Sequence, residues 1–250
     1  MSKNDFFIGW SDDMPALDRR FFLGAGLALS AGTVGLAATL SSSRNAPNSG
    51  SWNMGEIREW RGIATSAPYS MMRTRDLNGA PRTVLLGCQG KCGVSARIGA
   101  HAGKPVIIRG SLIQRGKHAM IAVTDDIDWI EDDPATDVAG LAFPAIEPLE
   151  EITLRGTILD SKCWFGAMSP ARGKTHKSCA SLCIRGGIPP AFFVKDRQDQ
   201  KALLLMTSRG QAHGEDLLPF VADPVELTGQ LQRWGDQLLI DSTVGSLSRI

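Results

Sequence analysis

Apolar and polar positions divide the chain into one long uninterrupted apolar run followed by many short ones. The run FFLGAGLALSAGTVGLAATL, from Phe21 to Leu40, carries no charged residue. About 20 apolar residues in a helix match the hydrocarbon thickness of a bilayer, whereas a soluble core helix keeps a polar face. Residues 21-40 are therefore predicted to form a transmembrane anchor or signal helix. Beyond them, segments such as Val106 to Leu112 and Val225 to Leu231 begin β-branched and each leads through a glycine-containing turn into another apolar run, which predicts strands. Short helices fit between Val94 and Ala102 and between Glu215 and Ala222. The part beyond Leu40 is thus expected to be mainly β.

The two strand-rich regions can be laid over one another. At a constant shift of 119 residues Leu86 meets Leu205, Pro105 meets Pro224, Gly110 meets Gly229, Gly116 meets Gly235 and Ile121 meets Ile240. Upstream, Trp60-Arg61-Gly62 matches Leu154-Arg155-Gly156 at a shift of 94, so the second copy holds 25 extra residues after its first strand. Five strands and one helix per copy resemble an oligonucleotide/oligosaccharide-binding (OB) barrel. The expected organisation is a cytoplasmic tail (1-20), the apolar helix (21-40), a flexible Ser/Asn/Gly/Pro linker (41-57), a first OB-like barrel (58-124), an acidic linker (125-150) and a second OB-like barrel (151-243) with a helical Cys/His insertion (159-190).

Ahead of the apolar run, Arg19, Arg20, Phe22 and Leu23 resemble the pattern of a twin-arginine export signal. That resemblance implies a single-pass protein of the cytoplasmic membrane, with everything from Ser41 onward on the periplasmic or external side and residues 21-40 in the lipid bilayer. The arrangement resembles the N-terminal anchor of Rieske iron–sulfur proteins, but the Cys-x-His and Cys-x-x-His pairs of a Rieske cluster do not occur in this sequence. Lys plus Arg number 27 against 26 Asp plus Glu, leaving no overall charge to attract a polyanion, so nucleic acid is not an expected partner. The stretch from Thr124 to Glu151 holds ten carboxylates and no base, and the segment from Arg155 to Arg185 gathers Arg155, Lys162, Arg172, Lys174, Lys177 and Arg185 against Asp160 alone. The simplest expectation is that one rests on the other.

The chemistry-bearing stretch is LDSKCWFGAMSPARGKTHKSCASLCIRGG, from Leu159 to Gly187. Thr175 is placed to N-cap a helix starting at His176, so that His176, Cys179 and Cys183 share one stripe and face Cys163. Three thiols and one imidazole suit zinc or another thiophilic ion, although the spacing is not a standard zinc-ribbon or finger pattern. A structural disulfide among the three cysteines and a reactive thiol are the rival readings. The second half also resembles small bacterial exported domains with an OB-like barrel, through Gly156, Asp160, Cys163, His176, Cys179, Ala180, Cys183 and Gly186. That resemblance supports the fold and the cluster and implies no specific activity.

Elsewhere, Cys88 and Cys92 are close enough in sequence for a local bridge, and a second metal site there would need His101 or His118. Trp60, Pro68 and Tyr69 are candidates for a binding surface or for core packing, Trp164 for packing against the helix stripe, and His213 for a solvated turn. Gly173-Lys174-Thr175 lacks the glycine spacing of a phosphate-binding loop, and no Ser-His-Asp set or His-Glu helix motif is present. The sequence therefore points to a membrane-anchored binding or accessory subunit of a redox or respiratory complex in the same membrane. A thiol- or metal-dependent enzyme is the alternative, and an oligonucleotide binder the more remote one.

Overall fold

The computed structural model describes residues 14–43, 50–195 and 201–250. Most of the expected cytoplasmic tail and the centre of the expected linker lie outside the described residues. Two compact units divide the chain, Met1–Pro47 and Asn48–Ile250. The first holds helix α1 (Ala16–Ser43), which begins before the apolar run and includes the arginine pair. Its Ala16–Thr39 segment is long and apolar enough to cross a membrane, and its leucines, phenylalanines and valine are exposed rather than packed.

The second unit contains two closed five-stranded barrels. The first joins β2 (Arg58–Thr65), β3 (Met71–Arg75), β4 (Pro81–Cys88), β5 (Pro105–Arg115) and β6 (His118–Val123), in the order β2-β3-β4-β6-β5 and back to β2. Only the β4–β6 pair is parallel. The second repeats this with β8 (Glu147–Asp160), β9 (Pro190–Lys195), β10 (Lys201–Ser208), β12 (Pro224–Trp234) and β13 (Gln237–Asp241), again with one parallel pair, β10–β13. This strand order is that of the OB fold. Register agrees along the antiparallel pairs: Leu112 pairs with Ile121 and Leu231 with Ile240, and Gly62 pairs with Val106 and Gly156 with Val225, whereas the parallel pair slips by one residue, Leu86 facing Ile121 but Leu205 facing Leu239. The two glycines do the same job. A Cβ at Gly62 would come within 2.0 Å of the Arg73 carbonyl oxygen, and one at Gly156 within 2.4 Å of that of Phe193.

Side-chain alternation along a strand explains why β4 and β10 read as unbroken apolar runs. Val84 and Leu86 fill the first barrel and Leu204 and Met206 the second, whereas Leu85, Leu203 and Leu205 point into a third core shared by the barrels. Tyr69, Met71, Met120, Trp164, Phe165 and Phe193 complete that shared core.

Several expectations differ in detail. The folded region starts earlier than residue 58, because β1 (Ser51–Trp52) pairs with β5. Helix α2 (Ser95–Gly99) is a short turn, and its counterpart Glu215–Phe220 is 3-10, since Pro219 lacks the N–H that an α-helix would need there. The acidic segment adds β7 (Ile130–Asp132) to the first barrel through β5. Its acids pair with first-barrel bases, Asp133 with Arg61 at 2.6 Å, Glu131 with Arg109 at 2.8 Å and Asp132 with Lys104 at 3.0 Å. The basic insertion instead finds its acids on the second barrel: Lys177 meets Asp223 at 3.0 Å and Arg185 meets Glu215 at 3.6 Å. The second barrel carries β11 (Gln211–Ala212) at its edge and ends on β14 (Leu247–Arg249), past the expected boundary at 243.

Candidate functional site

The site is built where the first strand of the second barrel ends. Strand β8 delivers Asp160, and a wide helical turn follows, with Cys163–Ala167 in π-helical form. The chain returns through a 3-10 turn, Lys174–His176, into α3 (Lys177–Arg185). His176 thus precedes the α-helix instead of opening it, and no side-chain cap is made by Thr175. Cys179 and Cys183 remain on one face of α3, four residues apart. The end of α3 docks on the first barrel: the Gly93 N–H donates to the Gly186 carbonyl at 2.7 Å, and a Cβ on Gly186 would sit 1.8 Å from the Lys91 carbonyl oxygen. Only glycine permits that approach.

Cys163, Cys179 and Cys183 are brought together, with their sulfurs all within 4.8 Å of one another. All three are free thiols, Cys163 and Cys183 buried and Cys179 half-buried. The Cys163 and Cys179 sulfurs are 3.9 Å apart. Two thiolates on one tetrahedral ion, each bonded at about 2.3 Å, lie roughly 3.8 Å apart, so this spacing is that of shared ligands. A hydrogen bond with Cys183, followed by burial, pushes the Cys163 thiol up, and the same bond holds Cys183 below its ordinary value.

His176 is turned to a different partner. Its Nε2 lies 3.0 Å from Asp160 Oδ2, with both side chains inaccessible to solvent (2% and 0% exposed). Asp160 Oδ1 accepts the Cys163 backbone N–H at 2.8 Å. Asp160, Cys163 and His176 form a second potential ligand group that shares Cys163 with the first. The expected four-residue set is thus arranged as two adjoining trios.

Two lysines flank the sulfurs. Lys91 Nζ donates to Cys179 Sγ at 2.7 Å, which holds the ammonium above its usual range. Lys162, 2% exposed, donates to the carbonyls of Cys88, Gln89 and Gly90 at 2.6, 2.7 and 2.6 Å and lies 4.9 Å over the Trp52 ring. Burial lowers its proton affinity, and the three acceptors keep it an ammonium in place. Those carbonyls belong to a loop closed by the Cys88–Cys92 disulfide, whose Cα atoms are 5.4 Å apart. Lys91 and the disulfide loop escaped the sequence reading as parts of this site, and Lys162 was read only as one of the basic residues of the stretch. Lys162 stands beside Cys163, but its acceptors lie over 70 residues away.

The other candidates resolve into structural roles. The Tyr69 hydroxyl donates to the Met206 carbonyl across the barrels, and Trp60 Nε1 donates to the Gly110 carbonyl at 3.0 Å. Trp164 packs against Phe193 and His118, in the same buried cluster as Cys183. His118 is also stacked on Phe165, and burial lowers its pKa to about 4. His101 Nδ1 lies 2.6 Å from Asp132 Oδ1, so neither histidine serves Cys88 and Cys92. His213 is half-buried, and its backbone N–H donates to the Tyr69 hydroxyl at 3.2 Å.

Comparison with known proteins adds little to this geometry. Neither a protein-family model nor a curated protein sequence matches the chain. Among solved structures, the chain is similar to a deletion mutant of the single-stranded DNA binding protein from Thermus aquaticus, at 14% identity and a TM-score of 0.23, over 82% of this chain and 89% of that one. The OB-like assignment rests on the strand pairing described above.

Proposed function

We propose that this protein is an exported accessory subunit, tethered to the membrane by α1, whose Cys163/Cys179/Cys183 trio holds a thiophilic metal ion for a redox or respiratory partner in the same membrane. The observation that carries the metal reading is the convergence of three free sulfurs at ligand spacing, two of them buried, with two ammonium groups beside them. His176 and Asp160 act from behind the sulfurs. The carboxylate fixes the Cys163 backbone and the imidazole fixes the carboxylate, as outer partners of metal ligands commonly do. The anchor and the twin-arginine pattern support an external location, and the matching antiparallel pairs Leu112–Ile121 and Leu231–Ile240, 119 residues apart, support reading the barrels as two copies of one unit.

Elemental analysis with thiol counting on protein isolated from membranes, anaerobically and without chelator, tests the reading. About one equivalent of a thiophilic metal, lost in Cys179→Ser, is expected. Metal-free protein with a single free thiol among the three cysteines would instead make the trio a disulfide staple. A second reading, a thiol enzyme, draws on Lys91 beside the half-buried Cys179. It requires Cys179 in metal-free protein to alkylate much faster than a free thiol, and an ordinary alkylation rate would remove it.

A further inference from the structure

Among the described residues, Met168 brings a further sulfur to the trio. Its Sδ lies 3.8 Å from Cys179 Sγ, matching the 3.9 Å between Cys163 and Cys179 and the edge of a tetrahedron of sulfurs on one ion. We propose that Met168 is the fourth ligand and that the ion is monovalent copper, an inference that rests on the metal reading above.

Three observations carry it. First, the donor set becomes all sulfur, and a thioether suits a soft monovalent ion while adding little for zinc. Second, the nearby imidazole is committed elsewhere, since His176 Nε2 faces Asp160 at 3.0 Å. Third, the site carries countercharge for a thiolate cluster. The Lys91 and Lys162 ammonium groups offset the negative charge that three thiolates and the Asp160 carboxylate behind Cys163 bring to the ion. Lys91 donates to a ligand sulfur at 2.7 Å, and Lys162 is held in its charged form by three carbonyls. Met168 is 44% exposed, so it closes the site on the solvent side. The ion would enter and leave by exchange at that thioether.

The test uses the full-length protein in detergent under anaerobic conditions. It is titrated with Cu(I) against bathocuproine disulfonate and, separately, with Zn(II) against a chromophoric chelator, with X-ray absorption of the copper-loaded form. Met168→Leu is expected to weaken Cu(I) binding at least tenfold, to change Zn(II) binding less than twofold, and to remove one sulfur from a copper shell made only of sulfur. Unchanged Cu(I) affinity in Met168→Leu, or a nitrogen donor that disappears in His176→Gln, overturns the copper–thioether site while leaving the metal reading intact. If wild-type protein binds neither ion, or if binding survives Cys179→Ser, the metal reading itself fails.

Discussion

Replacing Lys162 by Met removes a buried ammonium and retains most of the apolar stem. Three charge-assisted hydrogen bonds, all 2.6–2.7 Å long, are lost with it. Gly90 is exposed, so water can replace the lost donor there, whereas Cys88 and Gln89 are half-buried. Hydrogen bonds to a charged group contribute about 1.5–3 kcal/mol each, and an unsatisfied buried carbonyl costs about 1–3 kcal/mol. Against this stands the relief of no longer burying a charge, several kcal/mol in the other direction. The balance is a loss of about 3 kcal/mol. With a urea dependence of about 2 kcal/mol per molar, the unfolding midpoint falls by roughly 1.5 M. Tryptophan fluorescence of the full-length protein in detergent reads this out, because Trp52 lies directly under the ammonium. A midpoint displaced by less than about 0.3 M would refute the reasoning. It would mean that the lysine bridges the insertion and the disulfide loop without holding them together.

Two further outcomes are expected. His118 has a folded pKa of about 4 against about 6.5 unfolded, so between those values the unfolded chain binds the extra proton and stability falls as pH falls. Wild-type protein should lose about 2–3 kcal/mol between pH 7 and pH 4 that His118→Gln retains, and parallel pH profiles in urea titrations would rule this out. Removing the Cys88–Cys92 bridge in the double alanine variant should cost about 2 kcal/mol from the entropy of so short a loop, read as a lower melting temperature; no change on reduction of wild-type protein would contradict it.

Much of the fold was legible because the two copies repeat their glycines and apolar runs in register. The constant 119-residue shift corresponds to the pairing of Leu112 with Ile121 and of Leu231 with Ile240, and the shorter upstream shift locates the insertion between β8 and β9. The acidic segment read as a linker because Ile130–Asp132 is short and charged, and its pairing depends on the neighbouring strand rather than on its own pattern. At the site, the clustering of the cysteines was visible from residue type and helical periodicity. The helical stripe was extended one turn too far, since ideal periodicity cannot register the 3-10 turn at Lys174–His176 that sends the imidazole to Asp160. Contacts between barrels, such as that of Tyr69 with Met206, leave no local trace.

Because β4 and β10 bury both faces, the first barrel is finished before the surface that covers Leu85, Met71 and Met120 exists. Its last strand, β7, ends at Asp132, and the covering strand β10 ends only at Ser208, with the second barrel closing later still at β13. At a synthesis rate of about 5–20 residues per second, the half-made protein presents this greasy flank for several seconds or more. During that interval the nascent chain is a natural client for a holding chaperone, and a ribosome stalled before β10 would release a fragment prone to clump.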